Sequence, residues 1–201
     1  MPVDFKKEMK ALYQPSTSPV LIDVPEMSFI MLTGAGHPDS DLFQETIQTL
    51  YSIAFTIKFS LKKQNTGNEF VVPPLEGLWW TLGESVFDIE NKDNWAWTMM
   101  IMQPDYVTAE AFQAAIAEIR KKKNPDLLDK VTFERFHEGL SVQLMHIGPY
   151  SEERVNIKIM HDFAAESGYT LHGKHHEIYL GDPRRTAPEK LKTVLRQPVT
   201  K

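Results

Sequence analysis

The 201-residue sequence contains no cysteine. This absence excludes thiol nucleophiles, zinc sites built from thiolates, and disulfide bonds. It fits a protein of the reducing cytoplasm, which is where we expect this chain to work. The first residues, Met1–Glu8, lack the apolar core of a signal peptide, and no stretch approaches the length of a membrane span. We therefore expect no association with a membrane.

An excess of positive charge is also missing, since the formal net charge is −5. Nucleic-acid binding needs a basic surface, so we expect no direct nucleic-acid partner. The one compact basic run, Arg120–Lys123, ends a predicted helix, where positive side chains complement the helix dipole. This run is therefore interpreted as a solvated helix end.

The seven histidines show no spacing typical of a metal site. The neighbouring His175 and His176 fall in a predicted strand and must point to opposite faces, so they cannot easily share a metal ion. The run Gly34–Gly36 lacks the third glycine of a dinucleotide-binding loop. The sequence therefore predicts no metal and no cofactor.

What the sequence does contain is one order of elements used twice. Each half shows a strand, a helix with apolar residues at helical spacing, and two further strands. In the first half these are Met27–Gly34, the helix from Leu42, Glu69–Val72 and Trp95–Met102; in the second half they are Leu140–Ile147, the helix between Gly148 and Gly168, His175–Leu180 and Leu191–Leu195. The repeat predicts two similar half-sheets with a ligand groove between them, and it puts Glu69 and Glu177 at matching positions.

Two details of this prediction concern the second half. An additional strand, Val131–His137, is predicted to form a hairpin with Leu140–Ile147 through the turn Glu138–Gly139. The buried stripe of the second helix is predicted to consist of Val155, Ile159, Phe163 and Ala164.

Glu177 is the strongest candidate for chemistry. It lies in a strand pattern beside Ile178–Leu180, and an inward carboxylate is desolvated, which suits general acid or base catalysis. The alternative is that Glu177 lies on the hydrated face of an edge strand. Two other carboxylates are weaker candidates for ligand binding: Glu69, for which the alternative is the preceding turn, and Glu76, for which the alternative is capping of a turn.

All four tryptophans fall within one short segment, as Trp79, Trp80, Trp95 and Trp97. The usual explanation for buried aromatic residues is core packing. Four indoles in one strand–turn–strand segment exceed what a core needs, and a pocket walled by rings suits flat, apolar, aromatic or cationic ligands. Three tyrosines could add phenol hydroxyls to this predicted pocket: Tyr106, Tyr150 and Tyr179.

Four short segments of the second half share their pattern with a known family. They are His146–Tyr150, Glu177–Pro183, Pro188–Thr193 and Gln197–Val199. On these segments the chain resembles the GyrI-like small-molecule-binding domain, also called the bacterial effector-binding domain. The family's twofold strand–helix–strand–strand repeat matches the repeat described above. The resemblance covers nearly all of the chain, with looser agreement in the first half, and it adds His146 to the candidate ligand-binding residues.

The resemblance implies an α+β fold. In it, a pseudo-twofold repeat of strand–helix–strand–strand builds an antiparallel, curved sheet with helices on one side and a central ligand cleft. We expect residues 1–201 to form a single domain, with pseudo-repeats near residues 20–125 and 130–201.

Two functions follow from the resemblance. Members fused to a DNA-binding helix-turn-helix sense drugs and hydrophobic cations through a buried glutamate. The stretch before residue 20 is too short for such a domain, so we do not expect a transcription activator. The runs Pro74–Trp80 and Trp95–Trp97 resemble a stand-alone subgroup in which some proteins hydrolyse the cyclopropane of cyclopropanoid DNA-alkylating toxins.

That subgroup implies a detoxifying hydrolase. Glu177 would orient and deprotonate a water molecule that opens the cyclopropane, and Tyr106 or Tyr150 would stabilise the phenolate that develops. The alternative is a non-catalytic protein that binds or sequesters flat hydrophobic drugs, or that modulates gyrase. The sequence leaves the physiological substrate and the oligomeric state open.

Overall fold

The computed structural model describes residues 2–65, 67–84, 87–123 and 125–201. Within these ranges the chain forms nine β-strands and five α-helices. The strands are β1 Val20–Val24, β2 Met27–Ala35, β3 Leu75–Thr81, β4 Trp95–Gln103, β5 Thr132–Phe136, β6 Gly139–Ile147, β7 Thr170–Leu171, β8 His175–Tyr179 and β9 Lys192–Thr200. The helices are α1 Phe5–Glu8, α2 Lys10–Tyr13, α3 Asp41–Gln64, α4 Ala109–Lys122 and α5 Glu153–Glu166.

Eight of the described strands form a continuous antiparallel sheet in the order β1-β6-β9-β8-β3-β4-β2-β5, and the short β7 pairs with β9 beside it. The order is symmetric about the central β3–β8 pair. Each half-sheet takes its outermost strand from the other half of the chain, because β1 pairs with β6 and β5 pairs with β2. The antiparallel, curved α+β sheet confirms the predicted fold class.

The predicted hairpin between residues 131–137 and 140–147 is wrong. β5 and β6 follow each other in sequence, yet they lie far apart in the sheet order. The physical reason is that Glu138, which joins them, is buried and bonded to Arg196 and His176. The connection therefore passes through the interior, whereas a hairpin turn lies at the surface.

The predicted strand Glu69–Val72 is also wrong. Phe70 makes only an isolated bridge to Val3, and the third strand begins at Leu75. The two prolines that precede Leu75 have no N–H to donate to a ladder, so regular pairing starts after them. Glu69 therefore lies outside β3 and does not match the position of Glu177 in β8.

The long helices cover one face of the sheet, which we call the helix face. α3 packs on β2 and β4, while α5 packs on β6 and β9, so the central β3–β8 pair lies between the two helices. Ser40 caps α3 by accepting a hydrogen bond from the Phe43 N–H at 3.3 Å. None of the helices in the described ranges, α3 included, has the length and apolar character of a membrane-crossing segment.

The opposite face of the sheet is covered by the N-terminal segment, residues 2–16, which contains α1 and α2. Leu12 and Tyr13 pack there against apolar side chains of the central strands. Neighbouring residues of a strand point to opposite faces of the sheet. The central-strand side chains on the face covered by the N-terminal segment are therefore Glu76, Leu78, His176 and Ile178.

Candidate functional site

Glu177 lies at the centre of the sheet on the helix face. Its Cα partners are Gly77 of β3 and Leu195 of β9, so β8 is an interior strand and not an edge. The residue is 8 % exposed. This placement removes the alternative of a hydrated edge-strand carboxylate.

A chain of two hydrogen bonds fixes one oxygen of Glu177. The Tyr179 hydroxyl donates to Glu177 Oε2 at 2.7 Å and accepts from Trp79 Nε1 at 2.9 Å. Burial, followed by the Glu177 charge, raises the pKa of Tyr179 well above its ordinary value, so the hydroxyl keeps its proton. The indole and the phenol therefore hold the carboxylate in one orientation.

Gly77 makes room for this chain. A Cβ at Gly77 would lie 2.8 Å from Trp79 Nε1 and 3.2 Å from the Tyr179 hydroxyl. Any larger residue would push into the hydrogen bond between the two rings. The glycine in the run Glu-Gly-Leu-Trp-Trp is therefore required for steric reasons, because the rings pack closely around this position opposite Glu177.

A second carboxyl group lies beside the first. Glu153, the first residue of α5, is 2 % exposed, and its carboxyl lies against the Glu177 carboxyl and the Thr193 hydroxyl. Burial, and next the Glu177 charge, raises the pKa of Glu153 well above its ordinary value. Two buried carboxyls in contact cannot both ionise readily, so each disfavours a charge on the other.

Sequence reasoning missed Glu153, although a signal was present. The buried residues of α5 are Glu153, Ile157, Met160 and Ala164, which form one stripe at helical spacing. A glutamate that opens an apolar stripe is a candidate for a buried carboxyl. The predicted stripe was wrong at Val155 and Ile159, which are exposed, and was confirmed at Ala164, which is buried.

Aromatic rings form the wall beside Glu177. Trp79 packs edge to face on Trp95 with ring centroids 5.2 Å apart, and it also contacts Phe43 at 5.6 Å. Phe87 packs on Trp95 at 5.0 Å and stacks on His175 at 5.3 Å. The structure thus brings two of the four predicted indoles into the site.

The other two indoles have different surroundings. Trp97 is fully buried, donates to the Gly36 carbonyl at 3.2 Å and fills the space over Gly34, so it belongs to the core. Trp80 points away from Glu177 and carries Lys174 Nζ 3.5 Å above its ring.

Tyr150 lies at the Tyr179 end of the site, and the Phe87 ring lies at the His175 end. The Tyr150 ring packs edge to face on Tyr179 with centroids 5.8 Å apart. Burial, and then the carboxyls of Glu153 and Glu177, raises the pKa of Tyr150 to about 12. The hydroxyl is therefore a proton donor throughout the physiological pH range.

His146 holds the turn that precedes Tyr150. Its Nδ1 accepts from the Asn156 side-chain amide at 2.8 Å, and its Nε2 donates to the Pro149 carbonyl at 3.2 Å. These bonds tie the Gly148–Pro149 turn to α5. His146 is buried, and it thus positions the turn that precedes Tyr150.

Three further candidates from the sequence are not brought to Glu177. Tyr106 packs edge to face on Phe70, and its hydroxyl has no hydrogen-bond partner among the described residues. Glu69 bonds through its backbone carbonyl to the Val3 N–H at 2.8 Å. Glu76 lies on the opposite face of the sheet, where it accepts from the Tyr13 hydroxyl at 3.0 Å.

Glu76 belongs to a buried polar network on that opposite face. His176 contacts Glu76 at 3.1 Å and Glu138 at 2.9 Å, and Arg196 donates to Glu138 at 3.0 Å. Burial alone would lower the pKa of His176, but the Glu138 carboxylate raises it to about 9. Burial alone would raise the pKa of Glu138, but His176 and Arg196 lower it to about 2. His176 and Glu138 are therefore both charged at neutral pH.

Unpaired polar atoms concentrate around Glu177. Within the described ranges, eight buried side-chain nitrogen or oxygen atoms have no hydrogen-bond partner; four of them belong to residues beside Glu177, and a fifth belongs to His161, which lines the same cavity as His175. The five are Glu153 Oε1, Thr193 Oγ1, His161 Nε2, His175 Nδ1 and His175 Nε2. Leaving such an atom unpaired costs about 1–3 kcal/mol, so this cluster is poised to bind polar groups that the chain itself does not supply.

A cavity adjoins the cluster. Its volume is about 100 Å³, and its walls include Trp79, Trp80, Phe87, His161 and His175. His175 Nε2 is 3.3 Å from Glu177 Oε1, although the two atoms are not aligned for a hydrogen bond. The described residues contain no cluster of three or more His, Asp or Glu side chains able to hold a metal ion.

Three solved structures from Listeria innocua are similar to this chain. An uncharacterised conserved protein is 47% identical with a TM-score of 0.92, and the match covers 98% of this chain and 100% of that one. A hydrolase is 45% identical with a TM-score of 0.89, covering 100% of both chains. A structure also described as a hydrolase is 44% identical with a TM-score of 0.87, covering 98% of this chain and 100% of that one.

No curated protein matches the chain in sequence. The GyrI-like small molecule binding domain family matches residues 17–200, which is nearly the whole chain. That range includes the central strands, Glu153, Glu177 and every ring of the wall. This chain belongs to the GyrI-like small-molecule-binding domain family.

Proposed function

We propose that the chain is a hydrolase that binds flat aromatic molecules and opens the cyclopropane of cyclopropanoid DNA-alkylating toxins by adding water, with Glu177 as the base. The observation that carries the proposal is a buried carboxylate, fixed by Tyr179 and Trp79, next to a second buried carboxyl whose pKa is raised well above its ordinary value. The descriptions of two similar Listeria innocua proteins as hydrolases support the same reaction class.

The rings beside Glu177 account for the choice of ligand. Trp79, Trp95 and Phe87 offer flat apolar surfaces on which a polyaromatic ligand can stack. A drug-sized ligand needs roughly 300 Å³ or more, whereas the cavity lined by Trp79, Phe87 and His175 has about 100 Å³. Ligand entry therefore requires a closing ring to swing aside, and the partly exposed Tyr150 is the ring best placed to do so.

The chemistry begins with a water molecule held by Glu177. Its carboxylate takes a proton while the water oxygen bonds to a ring carbon of the cyclopropane. The strained carbon–carbon bond breaks, and its electron pair passes through the conjugated system to an oxygen that becomes a phenolate. A general base of this kind contributes about 10²–10⁴-fold, and the strain of the ring supplies much of the remaining driving force.

Tyr150 and Glu153 support the step in different ways. The Tyr150 hydroxyl is protonated and lies at the mouth of the site, where it can donate to the phenolate oxygen. Burial, and next the Glu177 charge, raises the pKa of Glu153, so we assign the proton of the carboxyl pair to Glu153 and the role of base to Glu177. We prefer Tyr150 over Tyr106 for this role, because Tyr106 packs on Phe70 instead.

The direct test compares Glu177→Gln with wild type. The substitution keeps the shape and removes the base, so turnover of a cyclopropanoid compound should fall by about 10²-fold or more. Ligand affinity, measured by quenching of the tryptophan fluorescence, should stay within roughly threefold of wild type. Glu166→Gln is the matched control, since Glu166 is an exposed residue of the same helix as Glu153. Full turnover by Glu177→Gln would remove Glu177 from the role of base.

A second candidate function is non-catalytic capture of a flat lipophilic cation. The observation that favours it is the same buried carboxylate, since a negative charge among aromatic faces attracts a desolvated cation. The two functions differ in stoichiometry. Capture predicts one ligand bound per chain and no water-added product, and Glu177→Gln should then weaken binding itself.

A further inference from the structure

The three helix-face residues of β8 contact different parts of the site. Tyr179 meets Tyr150 at the mouth, Glu177 lies in the middle, and His175 borders the 100 Å³ cavity at the other end. The cavity is therefore joined to the Glu177 carboxylate through His175, whose Nε2 lies 3.3 Å from Glu177 Oε1.

The cavity has the properties of a water site. Its volume of about 100 Å³ gives room for roughly three water molecules at about 30 Å³ each. A buried water needs two to four polar partners. His161 Nε2 and His175 Nδ1 are buried without a hydrogen-bond partner in the described part of the chain, and both residues line the cavity.

His175 is the side chain that links this cavity to the carboxylate. Its ring is 1 % exposed and is held by stacking on Phe87 with an interplanar angle of 7°. Its Nε2 lies 3.3 Å from Glu177 Oε1, and no hydrogen bond ties either ring nitrogen to another described residue. Poor alignment in a ligand-free site is usual for groups that tighten when the substrate binds.

We propose that the cavity supplies the water used in the reaction and that His175 is a positioning residue that relays a proton between Glu177 and this water. The proposal rests on the proposed hydrolase function of Glu177. In the relay, the Glu177 carboxylic acid formed by water attack returns its proton to His175 Nε2, which leaves the carboxylate ready for the next turnover. The imidazolium then releases a proton from Nδ1 to a cavity water. The phenolate product takes up one proton, so that one water molecule is consumed in all.

The neighbouring histidines do not share this position. His161 faces the same cavity from α5, but burial, and next the His175 charge, lowers its pKa to about 4, and no contact joins it to Glu177 among the described residues. His172 lies on the rim of the cavity with an exposed side chain. His137 is exposed and does not line the cavity, so it is the matched control for a substitution at His175.

The kinetic test uses His175→Gln, His175→Ala and His137→Gln on a cyclopropanoid substrate. The two His175 variants should lose about tenfold or more in kcat while KM stays within roughly twofold, because the relay acts on proton transfer and not on ligand binding. Added imidazole should restore part of the turnover to His175→Ala. A merely structural role for His175 predicts a raised KM and no rescue. His137→Gln should match wild type.

A second measurement tests the contact without a substrate. The imidazole nitrogen resonances of His175 should shift on Glu177→Gln, while those of His137 should not. An unchanged His175 overturns the relay whether or not the protein is an enzyme. An inactive wild type contradicts the hydrolase function, whereas an active wild type with fully active His175 variants contradicts only the relay.

Discussion

At the scale of single residues, the site depends on how two carboxyl groups differ. Glu177 accepts a 2.7 Å hydrogen bond from Tyr179, while Glu153 Oε1 has no partner in the described part of the chain. Burial, and next the Glu177 charge, raises the pKa of Glu153 well above its ordinary value. The same two residue types act differently because their surroundings differ.

Gly77→Ala tests the packing that fixes Glu177. The added methyl would collide with Trp79 Nε1 and the Tyr179 hydroxyl, so the hydrogen bond between the two rings should break. Overpacking of this kind costs about 1–3 kcal/mol in the free energy of unfolding. We expect that loss in urea denaturation, together with a clear loss of ligand affinity. Gly181→Ala is the control, since its Cβ meets only ordinary contacts at 3.5 Å. Wild-type binding by Gly77→Ala would contradict the packing role.

The sequence contained enough to find Glu177 but not its partner. Glu177 lies between His176 and Ile178 in a strand, so its side chain points to the opposite face from theirs. A buried Glu177 is therefore one of the two arrangements that the pattern allows. Glu153 needed the correct helical stripe, and the more apolar Val155 and Ile159 suggested another. The placement of Tyr106 and Glu69 depends on non-local packing against Phe70 and Val3, which no local pattern encodes.

At the scale of elements, the N-terminal segment is tied to the sheet by buried polar bonds. Arg196 of β9 donates to the Leu12 carbonyl at 2.9 Å and to Gln143 of β6 at 3.0 Å. Gln143 in turn donates to the Ala11 carbonyl at 2.6 Å. Two strands therefore hold α2 against the face opposite the site.

Arg196→Met should be strongly destabilising. It removes one of the two cations that pair with the buried Glu138 and leaves only His176 there, and loss of a buried partner typically costs about 3–5 kcal/mol. The measurement is the free energy of unfolding from urea titration. Arg184→Met is the control, because its pair with Asp182 lies at the surface, where solvent screens it. Equal stabilities for the two variants would contradict the account of this network.

The element predictions succeeded where the pattern was local and failed where pairing was distant. The periodic helix from Leu42 and the strand Trp95–Met102 correspond to α3 and β4. The false hairpin arises because β1 and β5 exchange partners between the halves, whereas the third strand was misplaced because two prolines delay regular pairing until Leu75. Partner choice between strands that are far apart in sequence is decided by tertiary packing.

At the scale of the whole molecule, stability should depend on pH through the network opposite the site. The pKa of His176 is raised from 6.5 to about 9, so its contribution is present below pH 6.5 and is lost as the pH rises towards 9. The pKa of Glu138 is lowered from 4.5 to about 2, so its contribution is present above pH 4.5 and is lost as the pH falls towards 2. Stability should therefore be greatest between these limits.

Urea titration across this pH range measures the effect. His176→Gln should flatten the alkaline decline, because the group whose pKa is raised has been removed. His37→Gln, a substitution in the turn before α3, should leave the decline unchanged. An alkaline decline that persists in His176→Gln would assign it to another group.

We propose that residues 1–201 fold as one domain. The support is the β3–β8 pairing at the centre of the sheet and the exchange of β1 and β5 between the halves. Tryptophan fluorescence reports only on the first half, because all four tryptophans lie between Trp79 and Trp97, whereas circular dichroism reports on both halves. The two unfolding curves should coincide, and separated transitions would show two independently folding halves.

The central claim is that Glu177 activates water on a bound cyclopropanoid ligand. The most direct measurement is incubation of the protein with excess compound in heavy-oxygen water, followed by mass spectrometry of the product. The account predicts many equivalents of ring-opened product per chain, each carrying one heavy oxygen, and none above background with Glu177→Gln. Recovery of unchanged compound, or of no more than one equivalent bound per chain, would contradict it.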